Sequence, residues 1–93
     1  MFAPSESDWT WLPVADHKIQ AHPAVAPPAP ANGTLMRYRE VGGYTWQRNG
    51  TSTPAGWTTP SEQPGHTYAG QLAWALATKL LSPWSTTKTA VAT

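Results

Sequence analysis

The stretch Thr67-Tyr-Ala-Gly-Gln-Leu-Ala-Trp-Ala-Leu-Ala-Thr-Lys-Leu-Leu-Ser82 decides how the rest of the sequence is read. It holds the densest run of aliphatic residues, and none of the chain's 10 prolines falls inside it. At about 100° per residue, Tyr68, Ala69, Leu72, Ala73, Leu76 and Leu80 fall on one face of a helix. Trp74, Ala77 and Leu81 form a second seam nearly opposite, with Gln71 and Thr78 as a polar strip between the two. Thr67 suits an N-cap. Ser82 closes the run, because the residue before a proline, here Pro83, disfavours the helical region. The periodicity therefore predicts a helix over 67–82. One face covers a core, and the second, Trp74-Ala77-Leu81, meets either the N-terminal segment or a partner.

Working outward, 93 residues support one small domain with little margin of burial. There is no cysteine, so neither disulfides nor thiolate metal sites can reinforce it. Charged residues make up 12% of the chain, about half the usual share. Six tryptophans are the strongest departure from average composition. A net charge of +1 exerts no global pull on nucleic acid or acidic membranes. Met1 to Asp8 lacks the basic and apolar regions of a secretory signal, and the 67–82 stretch is too short to span a bilayer. The expectation is a cytoplasmic or virion-associated protein without signal peptide or transmembrane segment. The Asn-Gly-Thr triplets at Asn32 and Asn49 read as turns rather than glycosylation sequons.

Residues 1–31 read as an extended arm, 32–84 as the core, and 85–93 as a flexible tail. In the arm, Asp8 to Val14 alternates apolar and polar residues, with Trp9 and Trp11 on one side. A turn at Ala15-Asp16 lets His17 to His22 return, so short additional strands are expected within 8–22. Pro23, Pro27, Pro28 and Pro30 then exclude helix and central strand, leaving a polyproline-like linker. The clearest hairpin spans 34–48, with Gly42-Gly43 as a two-residue turn. That register pairs Val41 with Tyr44, Arg39 with Trp46, and Arg37 with Arg48, all on one face. Thr51 to Gly65 is loop, and Trp57 is its one large apolar anchor.

Few residues suggest chemistry. His17, His22 and His66 lack the spacing of a zinc pair, and the five acids are scattered. No nucleophile elbow or phosphate-cradling glycine loop occurs. No catalytic, metal or cofactor site and no small-molecule substrate is inferred. Two interaction surfaces remain. Trp74, Ala77 and Leu81, with Trp9, Trp11 and Trp57, can anchor a protein partner or a second copy. Arg37, Arg39 and Arg48 beside Tyr44 and Trp46 offer cations and flat rings, which suits an anion or a single-stranded nucleic acid. On that face the simpler reading is cation–π packing of arginine stems on Trp46.

The sequence thus predicts an α+β fold, a short antiparallel sheet packed on one C-terminal helix with a proline-rich arm. The expected function is that of a small non-catalytic structural or adaptor protein docking on a larger protein surface, for example a phage virion accessory protein or a phage protein that binds a host factor. The alternative is a single-stranded nucleic-acid-binding module.

Overall fold

A computed structural model describes residues 1–93. It contains eight strands and no α-helix: β1 Trp9–Val14, β2 Lys18–Pro23, β3 Gly33–Glu40, β4 Gln47–Arg48, β5 Trp57–Thr58, β6 Thr67–Leu76, β7 Lys79–Leu80 and β8 Lys88–Val91. One sheet has the order β1-β2-β5. The other runs β4-β3-β6-β7, with β8 also on β6. All pairings are antiparallel. The two sheets face each other as a β-sandwich.

The expected α+β fold is therefore corrected to all-β, and the C-terminal helix to strand β6 with a tight return into β7. The physical reason lies in the size pattern of 67–76. Large side chains occupy the even positions Tyr68, Leu72, Trp74 and Leu76, and small or polar ones the odd positions Thr67, Ala69, Gln71, Ala73 and Ala75. This is a period of two. Both faces are covered, so the strand reads as one continuous apolar run, which periodicity alone does not separate from a buried helix. Gly70 is the residue a helix interior disfavours and this strand requires. A Cβ there would lie 2.8 Å from Cε2 of Trp11, whose indole rests on the backbone. Ala77, at φ +53°, turns the chain from β6 into β7.

The core lies between the sheets. Trp9 and Trp11 of β1 and Ile19 and Ala21 of β2 meet Met36 and Tyr38 of β3 and Tyr68 and Leu72 of β6, with Ala90 and Ala92 at the C-terminal edge. The Trp11 indole N–H donates to the Tyr68 carbonyl at 3.0 Å. Its ring lies 6.0 Å from that of Tyr38, which in turn lies 6.3 Å from Trp57. Burying a tryptophan removes 150–250 Å² from water, about 4–6 kcal/mol of transfer free energy each. Two such residues compensate for a core otherwise poor in branched aliphatics.

The strands expected within 8–22 are β1 and β2, and they form half of the sandwich rather than an arm. Residues 85–93 contain β8, which pairs Lys88 to Val91 with Gly70 to Thr67. In the hairpin, β3 and β4 keep Arg37 opposite Arg48. The turn differs from expectation. The Gly43 N–H donates to the Glu40 carbonyl at 2.8 Å, which makes Val41 and Gly42 the central residues. Gly42 takes the positive φ of 92° that the third position of a type II turn demands. Residues 41–46 consequently leave the ladder, and Val41 does not pair with Tyr44.

Candidate interaction face

Odd-numbered residues of β3 point to the side of the larger sheet opposite the smaller one, where Leu35 is fully buried and Arg37 and Arg39 are partly exposed. Leu35 pairs with Ala73, Arg37 with Gln71 and Arg39 with Ala69 across β3 and β6. Arg48 joins them from β4. Two tryptophans interleave with these arginines. The Arg37 guanidinium carbon sits 4.5 Å from the Trp46 ring centre and 4.6 Å from that of Trp84. Arg39 lies 4.5 Å from Trp46, and Arg48 lies 5.6 Å from Trp84. The contacts read Arg39–Trp46–Arg37–Trp84–Arg48, so each ring serves two cations and the central cation serves both rings.

Trp84 reaches this face because of its flanking serines. Between the residues of β6 paired with β7 and those paired with β8, the N–H groups of Leu72 and Trp74 have no strand partner. Buried N–H groups require an acceptor. The Ser85 hydroxyl accepts from Leu72 at 3.0 Å and the Ser82 hydroxyl from Trp74 at 2.9 Å. The Ser82-Pro83-Trp84-Ser85 segment thus substitutes for a strand and displays its indole outward. The sequence reading assigned Trp84 no place on this face.

The charges on this face are uncompensated by acids. The only contact between a side-chain carboxylate and a basic side chain in the molecule joins His66 to Glu40, which is one residue past Arg39 and on the opposite side of the strand. The one side-chain hydrogen bond of the three arginines runs from Arg37 Nε to Gln71 Oε1, at 2.7 Å. Partial burial, then the nearby Arg39 and Arg48 charges, lower the Arg37 pKa from its ordinary value. Burial is the larger cause, and the two like charges add to it.

The other residues singled out from the sequence are dispersed. Tyr44 is 95% exposed and apart from the stack. Trp74 is buried at one end of the sandwich, under a groove of about 840 Å³ lined also by Met1, Phe2, Val25, Pro28 and Pro30. Ala77 sits in the β6–β7 turn and Leu81 is half-buried, so without a helix the Trp74-Ala77-Leu81 seam does not exist. Trp9 and Trp11 are core, and Trp57 packs on its edge. The Asn49 side chain is buried, accepting from the Met36 N–H at 2.7 Å and donating to the Thr51 carbonyl at 3.2 Å. No three His, Asp or Glu side chains converge as a metal site would need. No helix is long and apolar enough to cross a membrane.

No family model matches the sequence, and no curated protein matches it. Solved structures do match in fold. One is a crystal structure of chicken CNTN1 FN1-FN3 domains, with a TM-score of 0.72 at 15% sequence identity. The match covers 97% of this chain and 32% of that one, so this chain spans about a third of that protein's length. The fold is an immunoglobulin/fibronectin-like β-sandwich.

Proposed function

We propose that this chain is a non-catalytic interaction domain that docks on a larger protein through the outer face of its five-stranded sheet, by engaging acidic groups. One observation carries the reading: Arg37, Arg39 and Arg48 are stacked on Trp46 and Trp84 with no carboxylate in ion-pair contact. A guanidinium held by rings on a sheet loses little side-chain freedom on binding, and its N–H edges remain free for carboxylates. A rigid donor-rich patch whose arginines meet no carboxylate favours an acceptor-rich partner. The resemblance to FN1-FN3 domains, which occur in tandem in that neighbour, fits a domain that works within or against a larger assembly.

Nucleic acid is the second reading, and the same stack counts against it. Bases bind such faces by stacking on open rings, whereas Trp46 and Trp84 each already hold two guanidiniums. Tyr44 alone is left free. The test is fluorescence anisotropy with labelled poly-L-glutamate and a dT oligonucleotide across a salt series. Poly-L-glutamate is expected to bind, to weaken as salt rises, and to be lost in the Arg37→Glu/Arg39→Glu variant. Tighter binding of the oligonucleotide, or no binding of poly-L-glutamate, contradicts the proposal.

A further inference from the structure

We infer that the acidic partner binds as an extended segment that adds a strand to the free edge of β4, with alternate acidic side chains lying against the arginine–tryptophan stack. The inference rests on the proposed docking face and specifies its occupant.

Strand β4 is the outermost strand of the larger sheet, so one of its two edges has no neighbour. Its backbone orientation follows from the ladder. The Asn49 N–H donates to the Met36 carbonyl at 3.2 Å. Residues of an antiparallel pair alternate between bonding inward and outward. Arg48, next in register opposite Arg37, therefore turns its N–H and C=O away from β3. These groups face the free edge, and flanking residues Tyr44, Thr45, Gln47 and Arg48 are all exposed. Backbone groups at such an edge form a template for an added strand.

Charge identifies what the added strand carries. Side chains on one face of an extended segment recur about every 6.8 Å. Arg37 and Arg39, also two residues apart on β3, repeat at that interval. A segment beside β4 sets its outer-face side chains next to Arg48, the cation at the outer limit of the stack, with Trp46 beside it. Carboxylates at alternate positions, Glu-Thr-Glu-Thr, match both the pleat and the unpaired guanidiniums. They also relieve the like-charge pairing of Arg37 with Arg48, which a cross-strand neighbour otherwise makes unfavourable. A segment with acids at every position instead directs half of them to the side of Gln47, whose amide lies against the Tyr38 hydroxyl that donates to the Glu62 carboxylate.

The experiment measures the affinity of the intact chain for three probes by calorimetry. They are an eight-residue alternating Glu-Thr peptide, the same peptide N-methylated at every second residue on its bonding edge, and a dT oligonucleotide of equal charge. The unmodified peptide is expected to bind at least about tenfold more tightly than the N-methylated one, the loss of one to two net hydrogen bonds. The Arg48→Glu variant, which changes an exposed residue, is expected to lose the peptide while keeping its circular dichroism spectrum. Equal binding of both peptides overturns strand addition but leaves acidic docking standing. Binding of neither peptide, or preference for the oligonucleotide, overturns both.

Discussion

The two faces of the larger sheet use tryptophan in opposite ways, although β3 and β6 build both. Against the inner face, Trp9 and Trp11 of β1 in the smaller sheet supply volume. Each is almost wholly buried, and Trp11 lies against a glycine because nothing larger fits beneath it. On the outer face Trp46 and Trp84 supply ring surface, and the groups that cover them are cations rather than methyls. The inner pair accounts for stability. The outer pair fixes the positions of charges that, left loose, repel one another. A chain of 93 residues with few branched aliphatics thus divides its aromatic content between holding the fold and shaping a surface.

Substitutions on the two faces should separate in size. Trp11→Ala is expected to cost about 3–5 kcal/mol, enough to unfold much of a marginal domain, and urea denaturation followed by far-UV circular dichroism measures it. Gly70→Ala comes next, because the added methyl meets the Trp11 ring at 2.8 and 2.9 Å. An overpacked core of this kind loses about 1–3 kcal/mol, and the combination Gly70→Ala/Trp11→Ala should cost less than the sum of the two. A full additive loss breaks the claim that the two residues pack together. On the outer face, Trp84→Ala is expected to cost about 0.5–2 kcal/mol. It should also make stability rise more steeply with salt than in the parent chain, since Arg37 and Arg48 lose the ring they share.

A subtler contrast concerns Tyr38, which faces inward from the strand that carries Arg37 and Arg39 outward. Its hydroxyl donates to Glu62 Oε1 at 2.7 Å. Burial, followed by that bond and the Glu62 charge, raises its pKa above the ordinary 10.0. The folded state therefore holds the phenol proton more tightly than the unfolded state. Stability from this group is complete below the unfolded pKa and falls as pH rises past it toward the folded one. Thermal melts between pH 9 and 11 are expected to show a decline that Tyr38→Phe reduces, whereas Arg39→Gln leaves it in place.

Much of the outer face was legible from the sequence, because a hairpin is local. Gly42-Gly43 marks a reversal, and alternation on either side in the 37/48 register brings Arg37, Arg39 and Arg48 onto one face, with Trp46 beside them. The pairing of Arg37 with Arg48 survived a turn of different type, because residues 43–46 run outside the ladder and absorb the shift before β4 begins. Trp84 was not legible in the same way. It arrives from 45 residues beyond Arg39 through two serine hydroxyls on β6, a non-local contact with no periodic trace. The fold class was misread at β6 for a related reason. A central strand covered on both faces is apolar in every register, and its alanines also satisfied the helical wheel. The discriminating residues were Gly70 and the large–small alternation about it, whose meaning depends on the Trp11 ring arriving from the other sheet.

The most direct test of the outer face as a recognition surface is a paired measurement on the Arg37→Glu/Arg39→Glu variant. It combines affinity for the alternating Glu-Thr peptide with the urea midpoint of the same preparation. The expected result is loss of peptide binding by at least about tenfold with a stability change within about 2 kcal/mol. A parent chain that fails to bind the peptide, together with a variant that unfolds, would assign the arginine–tryptophan stack to the stability of the sandwich alone.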